Sequence, residues 1–259
     1  MVSVEEYSVS DYLLVHGAGQ GAWSWGKVWG HMTAPEEHPP RLYRPRQAVR
    51  VQAVDLPGQG ADLSRDAALV DLNEAVQAIF ALAQRENFTD FVIAGHELGG
   101  TVALQAASQL PVAPKRIILV AGIVPSPGAA PVSAYPLPAR AAVRLCKTLG
   151  NLTGRDFRVP PAIVNNYLCR GLDPMQHVET VGHLGPLPLR MLTQSVTLEL
   201  DALPCPVTYV VLGNDRLISP ARQRAMAGRI PNATVIELDA AHQAAAQKPR
   251  ELADLLLAA

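Results

Sequence analysis

The chain has 259 residues, of which 49% are hydrophobic, and its 22 basic and 23 acidic residues leave a formal net charge of −1. This length fits one large α/β domain or at most two small ones, and such a domain buries enough surface to fold without disulfides or structural metals. The balanced charge excludes the strongly basic surface that binds nucleic acids or anionic membranes. We therefore expect a small-molecule substrate, no nucleic-acid or membrane partner, and a homodimer as an open alternative.

The three cysteines, Cys146, Cys169 and Cys205, are far apart and lack the spacing of metal ligands. Their odd number predicts unpaired, buried side chains and a reducing, cytoplasmic compartment. Residues 1–17 contain two early glutamates and no long apolar core, which argues against a signal peptide. Neither a P-loop nor a dinucleotide-binding glycine pattern occurs in the required context, so we expect no cofactor and no metal.

Short apolar runs alternate with longer helical patterns along the chain, which is typical of βαβ units around a parallel sheet. The pattern predicts strands at 12–16, 49–56, 91–95, 115–120, 205–212 and 234–238. Helices are expected at 22–32, at 72–85 with Asp71 as the N-cap, from residue 98 onward, at 219–229 and at 249–257.

Two stretches depart from this alternation. Residues 125–203 contain many prolines, short helical patterns and no good strand, which predicts a cap inserted over the carboxyl edge of the sheet within a single domain, 1–259. Residues 33–48 are rich in proline and arginine and are predicted to form an irregular surface loop.

The segment Gly95-His96-Glu97-Leu98-Gly99 joins a predicted strand to a predicted helix. It has the G-x-S-x-G pattern of a nucleophile elbow, with glutamate in place of serine. The glycines leave room for a strained turn that presents the central side chain. A plain strand-to-helix turn containing glycine would have the same pattern, so the interpretation depends on the rest of the chain.

Three further groups follow predicted strands. The run HGAGQGAW, 16–23, exposes backbone amides that could stabilise an oxyanion. Asp215 follows the strand at 205–212, and His242 follows the strand at 234–238. Because the carboxyl ends of parallel strands form the binding edge of an open sheet, we expect these groups to meet there. Asp239 is a weaker candidate acid, because it lies on the same strand end as the histidine.

Together these stretches resemble the α/β-hydrolase superfamily, and within it the small-capped branch of plant methylesterases, hydroxynitrile lyases and bacterial esterase relatives. The resemblance covers nearly the whole chain and includes LLVHGAGQGAW, AVDLPGQGAD, IAGHELGG and RLISPARQRAMAGRIPNATVIELDAAHQ. It implies a mostly parallel, doubly wound sheet with a small helical cap.

For the site, the resemblance implies an oxyanion hole formed by the backbone amides of Ala18 and Leu98, with Asp215 as the catalytic acid and His242 as the base. The residues predicted to border the substrate pocket are Gly17, Trp23 and His96. For His96 the alternative is packing inside the strand-to-helix turn.

Glu97 is the departure that matters for function, since it removes the serine hydroxyl. We expect its carboxylate to face the imidazole of His242, which Asp215 orients. The first hypothesis is a cofactor-independent acid–base enzyme (a lyase, cyclase or isomerase) that acts on a small carbonyl-containing metabolite, with bacterial secondary metabolism as the suggested setting. In it, the Ala18 and Leu98 amides would hold an enolate oxygen.

Two alternatives remain open. In the second hypothesis, Glu97 is a carboxylate nucleophile that forms a glutamyl ester, which water activated by His242 then opens, so that the protein hydrolyses an ester or epoxide. In the third, Glu97 and His242 form a closed ion pair in a ligand-binding protein or in an esterase inactivated by a Ser-to-Glu change.

Overall fold

The computed structural model describes residues 10–33, 49–153 and 156–259. Its sheet has the strand order β2-β1-β3-β4-β5-β6, and every pairing is parallel. The strands are β1 Ser10–Val15, β2 Val49–Val54, β3 Phe91–His96, β4 Arg116–Val120, β5 Val207–Leu212 and β6 Thr234–Leu238. The predicted α/β-hydrolase fold is confirmed, and each predicted strand lies within about two residues of an observed one.

The α-helices of the described residues are α1 Gly26–Thr33, α2 Leu72–Arg85, α3 Leu98–Ala107, α4 Leu137–Thr153, α5 Pro161–Ile163, α6 Pro174–His183, α7 Leu189–Thr193, α8 Pro220–Ala227, α9 Ala244–Gln247 and α10 Pro249–Ala258. Asp71 caps α2 as predicted, because its carboxylate accepts a hydrogen bond from the Glu74 amide in a capping box. The helix predicted at 22–32 is a 3-10 helix, Ala22–Trp25, followed by α1.

Two apolar clusters pack on opposite faces of the sheet, because successive side chains of a strand point to opposite sides. In β1, Leu13 and Val15 belong to one cluster, and Tyr12 and Leu14 belong to the other. The first cluster contains α2, α3 and α8, whereas the second contains α1 and α10. Both faces are therefore covered, as expected for a doubly wound sheet.

The strand order determines where a site can form. The chain passes from β1 outward to β2 and then returns to β3 on the other side of β1. The loops that leave β1 and β3 therefore diverge at the carboxyl edge, and such a switch point opens a crevice in open parallel sheets.

The segment 125–203, which we call the cap segment, lies between β4 and β5 in the chain and adds no strand to the sheet. Apart from residues 154–155, it is described and contains α4 to α7. It contacts the β1 loop through a hydrogen bond from the Gly185 amide to the Gly19 carbonyl, 2.8 Å. In the loop predicted at 33–48, Thr33 is the last residue of α1, and 34–48 lie outside the described residues.

Candidate active site

Glu97 occupies a strained position at the turn between β3 and α3. Its backbone has φ 53° and ψ −118°, a conformation that non-glycine residues rarely adopt. Both flanking positions require glycine, because neighbouring backbone atoms lie too close for a side chain. A Cβ on Gly95 would lie 2.4 Å from the Gly99 carbonyl oxygen, and one on Gly99 would lie 2.5 Å from the carbonyl oxygens of His16 and Val15. The motif therefore forms the sharp elbow that the sequence predicts.

The loop after β1 is held in place by two side chains from the turn that follows β2. The Gly19 amide donates to Gln59 Oε1 at 2.9 Å, and the Ala22 amide donates to Asp55 Oδ1 at 2.7 Å. Because these amides already have partners, the Ala18 amide between the strand and Gly19 is the one that the loop presents to the elbow.

The carboxylate of Glu97 bridges the β1 loop and the cap segment. Its Oε2 accepts a hydrogen bond from the Ala18 amide at 2.6 Å, and its Oε1 accepts one from the hydroxyl of Tyr135. Only 2% of Glu97 is exposed. Gly17 lies directly against this carboxylate, since a Cβ at that position would come within 2.8 Å of Oε2. The Glu97 carboxylate thus occupies the Ala18 amide, which the family resemblance assigns to the oxyanion of a substrate.

Asp215 and His242 meet because β5 and β6 are neighbours and their following loops are bonded together. The Asn214 amide donates to the Ala240 carbonyl at 2.9 Å. His242 Nδ1 then lies 2.9 Å from Asp215 Oδ2. Asp215 Oδ1 accepts the amides of Leu217 and Ile218 at 2.8 and 2.9 Å. Asp239, the weaker candidate, instead accepts the side-chain amide of Asn214 at 2.6 Å, on the surface.

The second ring nitrogen of His242 has no hydrogen-bond partner among the described residues, although the whole ring is buried. The Glu97 carboxylate makes no hydrogen bond to this imidazole and acts on the ring through its charge. The length of the side chain gives the reason. The Cγ methylene of glutamate is two bonds from Cα, where a serine would have its hydroxyl oxygen, and a methylene cannot accept or donate a hydrogen bond. The carboxylate lies one bond further on, at Ala18 and Tyr135.

The charges at the site move the pKa values of its histidines in opposite directions. Burial opposes protonation of His242, but the negative charge of Asp215, its hydrogen bond and the charge of Glu97 outweigh burial and raise the pKa of His242. Burial and the neighbouring His242 together lower the pKa of His96 well below its ordinary value. Burial and the charge of Glu97 raise the pKa of Tyr135 well above its ordinary value, so the tyrosine remains a proton donor to the carboxylate.

A small cavity of about 30 Å³ lies beside Glu97, between the elbow and the cap segment. Apart from Glu97 and Tyr135, the lining residues are aliphatic: Ala18, Ala139, Ala142, Val143, Val159, Pro160, Ile163, Leu168, Leu187 and Leu217. The volume holds roughly two water-sized probes. The cavity therefore favours an uncharged, apolar ligand.

The structure brings together most of the predicted site residues. Glu97, Ala18 and Gly17 meet at the elbow, and Leu98 begins α3 directly after it, where a helix has amides without an intrahelical partner. Asp215 and His242 form the adjacent pair. The catalytic and oxyanion roles assigned to these residues remain predictions.

Two residues predicted to border the pocket point elsewhere. The Nε2–H of His96 donates to the backbone carbonyl of His242 at 3.0 Å, and its ring packs edge-on against Trp25. Trp23 packs on His183 at the outer side of the β1 loop, with ring centroids 5.1 Å apart. Neither lines the cavity beside Glu97. For His96 the alternative of packing inside the turn describes the structure.

Tyr135 is the functional candidate that sequence reasoning missed. It follows a short 3-10 helix, Pro131–Ala134, at the start of the cap segment. Only 5% of it is exposed. No motif surrounds it in the sequence, and its role is defined by the packing of the cap segment onto the elbow. The one sequence feature that could have indicated Tyr135 is its position just after a proline-rich turn, at the predicted start of the cap.

Replacing Tyr135 by phenylalanine is expected to lower the free energy of unfolding by about 1.5–3 kcal/mol, because the buried Glu97 carboxylate loses a donor. Tyr209→Phe is the matched control, since the hydroxyl of Tyr209 donates to the neutral carbonyl of Gly122 at 2.7 Å. The control should lose only about 1 kcal/mol. Urea unfolding of both variants measures the difference, and equal losses would show that Glu97 needs no donor from Tyr135.

We expect the pKa of His242 to lie above the ordinary histidine value of about 6.5, and the pKa of His96 to lie below it. An NMR titration of the imidazole signals measures both. His242, with a raised pKa, contributes stability that is full below the unfolded-state pKa and is lost as pH rises through the folded-state pKa. His96, with a lowered pKa, contributes stability above the unfolded-state pKa that is lost as pH falls through the folded-state pKa. Asp215→Asn should lower the pKa of His242, and an unchanged pKa would contradict the assigned cause.

Comparison with known proteins agrees with the fold. A family model described as the alpha/beta hydrolase family matches residues 12–255. Methylesterase 9 of Arabidopsis thaliana is 26% identical over 268 residues, covering 95% of this chain and 96% of the relative. The magnesium-chelatase 30 kDa subunit of Rhodobacter capsulatus is 27% identical over 251 residues, covering 89% of this chain and 79% of the relative.

Solved structures with similar folds include an extracellular alpha/beta-hydrolase from a Paenibacillus species, with a TM-score of 0.78 and 17% identity over 96% of this chain and 98% of that one. A methylesterase from Arabidopsis has a TM-score of 0.72 and 21% identity over 96% of this chain and 98% of that one. At these identities the likeness concerns the fold alone. Among the described residues, no helix is long and apolar enough to cross a membrane, and no cluster of potential metal ligands occurs.

Proposed function

This chain belongs to the alpha/beta hydrolase family, and we propose that it is a hydrolase in which the carboxylate of Glu97, in place of a serine hydroxyl, attacks a small, apolar epoxide. The observation that carries the proposal is the way in which the two carboxylate oxygens are held. One oxygen lies on the backbone amide of Ala18, and the other lies against the hydroxyl of Tyr135.

The two oxygens of the Glu97 carboxylate suit the two steps of the reaction: Oε1 attacks the epoxide, and Oε2 carries the charge when the ester is hydrolysed. In the first step, Glu97 Oε1 attacks a ring carbon, and the bond from that carbon to the ring oxygen breaks. The hydroxyl of Tyr135 transfers its hydrogen bond from Oε1 to the ring oxygen and gives it a proton. The product is a hydroxyalkyl ester of Glu97.

His242 is placed for the second step. Its free Nε2 takes a proton from a water molecule that attacks Cδ of the glutamyl ester, and Asp215 stabilises the resulting imidazolium. The developing charge falls on Oε2, which the Ala18 amide already holds. The bond from Cδ to Oε1 then breaks, Oε1 takes the second proton of the attacking water and leaves in the diol, and the proton on His242 returns to Tyr135, so that Glu97 is again a carboxylate. The net reaction adds one water to one epoxide.

The length of glutamate supports this second step. Cδ of Glu97 is three bonds from its Cα, as is the acyl carbon of an ester formed on a serine side chain. An amide and a histidine arranged to hydrolyse an acyl-serine are therefore arranged to hydrolyse a glutamyl ester at the same place. The absence of a side chain at Gly17 leaves room for the longer side chain of glutamate.

The acid–base hypothesis is the second candidate, and the aliphatic lining of the cavity beside Glu97 suits a small, uncharged carbonyl compound. Among the described residues, His242 Nε2 has no partner, so it is free to take a proton from a bound carbonyl compound as well as from water. This hypothesis requires the Ala18 amide to hold an enolate oxygen, however, and that amide is bound to Glu97. We therefore rank it second.

A His242→Gln variant tests the proposal, because it should form the glutamyl ester but fail to hydrolyse it. We expect incubation with 1,2-epoxyhexane to add the mass of one probe to the intact protein, and peptide mapping to place it on Glu97. The double variant Glu97→Gln/His242→Gln is the matched control and should stay unmodified. Turnover by the unmodified protein with no adduct on folded His242→Gln would overturn the proposal.

The other two hypotheses give different results in the same set of measurements. Exchange of the hydrogens beside the carbonyl of 2-hexanone in heavy water, abolished by Glu97→Gln, would favour the acid–base enzyme. Thermal stabilisation by either probe, with neither turnover nor exchange, would favour a ligand-binding protein.

A further inference from the structure

Two adjacent residues of α8 bind two different parts of the candidate site. Arg222 points toward the cap segment, and Gln223 points toward the end of β5. Neighbouring residues of an α-helix are about 100° apart around its axis, so one helix can contact both places. Neither residue belongs to the elbow, the β1 loop or the acid–histidine pair.

Arg222 holds the turn that carries Tyr135. Its Nη1 donates to the backbone carbonyl of Tyr135 at 2.6 Å and to that of Ala134 at 2.9 Å, with a longer contact of 3.5 Å to the Ser133 carbonyl. These carbonyls belong to the end of the 3-10 helix and would otherwise lack partners inside it. A guanidinium at this point fixes the backbone of Tyr135, and thereby the reach of its hydroxyl to Glu97.

Gln223 holds the carboxylate of Asp215. Its Nε2 donates to Asp215 Oδ2 at 3.1 Å and to the Ile218 carbonyl at 2.7 Å, while its Oε1 accepts the Leu212 amide at 2.8 Å. The side chain is fully buried. Asp215 Oδ2 is also the oxygen bonded to His242, so Gln223 and His242 share one acceptor.

We infer that Arg222 and Gln223 are positioning residues through which α8 aligns the proton donor Tyr135 with the Asp215–His242 pair. The inference rests on the proposed function in assigning roles to Tyr135 and His242. The alignment itself concerns two hydrogen bonds that can be observed without a substrate. One joins the Tyr135 hydroxyl to the Glu97 carboxylate, and the other joins Asp215 to His242. If α8 shifts, both hydrogen bonds are affected together.

The Gln223 half is tested by following His242 in an NMR titration. The ionisable groups around its imidazole are Asp215, Glu97 and His96. In Gln223→Met, Asp215 Oδ2 loses the hydrogen bond from Gln223. The carboxylate then bonds more strongly to His242 and stabilises the protonated imidazole more. We expect the pKa of His242 to rise by roughly one unit, the equivalent of one hydrogen bond to a charged group.

The control for this titration is Arg224→Ala, on the same helix, whose exposed side chain pairs with Glu237. It should leave the pKa of His242 unchanged. If Gln223→Met does not fold, Gln223→Glu keeps an acceptor for the Leu212 amide and should also raise the pKa of His242. An unchanged pKa in a folded Gln223 variant would overturn this half of the inference.

The Arg222 half is tested by the hydroxyl proton of Tyr135, which a strong hydrogen bond to a carboxylate shifts downfield. We expect Tyr135→Phe to remove the resonance and thereby assign it. Arg222→Ala should also abolish it, Arg222→Lys should retain it in part, and Arg224→Ala should retain it fully. Persistence of the resonance in Arg222→Ala would overturn the role of Arg222.

These spectra separate the inference from the proposed function. If the spectra change as expected but His242→Gln traps no ester, α8 positions the site and Glu97 is not a nucleophile. If the ester is trapped but the spectra are unchanged in the variants, Glu97 is the nucleophile and α8 does not position its partners.

Discussion

Replacing Glu97 by serine is expected to turn the protein into one that fluorophosphonates label, while the unmodified protein stays unlabelled. A serine Oγ lies at the bond position of the glutamate Cγ and would thus meet the unpartnered Nε2 of His242. The change also frees the Ala18 amide, which now holds the Glu97 carboxylate, to bind the oxygen of the reagent.

The size of this effect depends on His242. Adding His242→Ala to Glu97→Ser should lower the labelling rate by about a thousandfold or more, since removing the base from a serine–histidine pair costs at least that much. Intact mass against time measures both rates. Equal labelling with and without His242 would show that the histidine is not aligned with the elbow, and no labelling of a folded Glu97→Ser variant would argue against the whole arrangement.

The largest effect on stability is expected from Gly99→Ala. A Cβ at this position would lie 2.5 Å from the backbone carbonyl oxygens of both Val15 and His16. Backbone atoms at the end of β1 cannot move aside without disturbing its pairing with β3, so we expect a loss of about 3 kcal/mol or more in the free energy of unfolding.

Gly30→Ala in α1 is the matched control, because a Cβ there meets nothing within 4 Å. Alanine is the better helix former, so this variant should gain roughly 0.5–1 kcal/mol. Urea unfolding of the two variants compares a glycine required by close packing with one that is not. A small loss at Gly99 would show that the elbow tolerates a wider approach of α3 to β1.

Much of the fold could be predicted from the sequence because its signals are local. The apolar run that became β6 and the helix capped by Asp71 were predicted with their observed bounds. Glu97, Asp215 and His242 were singled out because each lies in the loop or turn that follows a strand, and parallel strands bring their ends to one edge. The splitting of the first helix into a 3-10 helix and α1 was not predicted.

The details of the site depend on contacts between distant segments, and those were missed. Tyr135 contacts Glu97 across 38 positions of sequence. Arg222 and Gln223 lie in the resembling stretch that begins at Arg216, but nothing in that stretch indicates their contacts with Tyr135 and Asp215. The hydrogen bond from Tyr135 to the Glu97 carboxylate was not predicted, because the pattern names a position and not the length of the side chain on it. His96 was placed at the pocket because it adjoins Glu97, yet adjacent residues of a strand face opposite sides.

The origin of the oxygen in the product tests the central claim most directly. With 1,2-epoxyhexane in water enriched in ¹⁸O, and with less than one equivalent of substrate, the proposal predicts that the new label appears in the Glu97 carboxylate and that the diol carries unlabelled oxygen from Glu97. Mass spectrometry of the peptide containing Glu97 and of the diol measures both. Label in the diol, with none in Glu97, would contradict the account, because water would then have attacked the substrate directly.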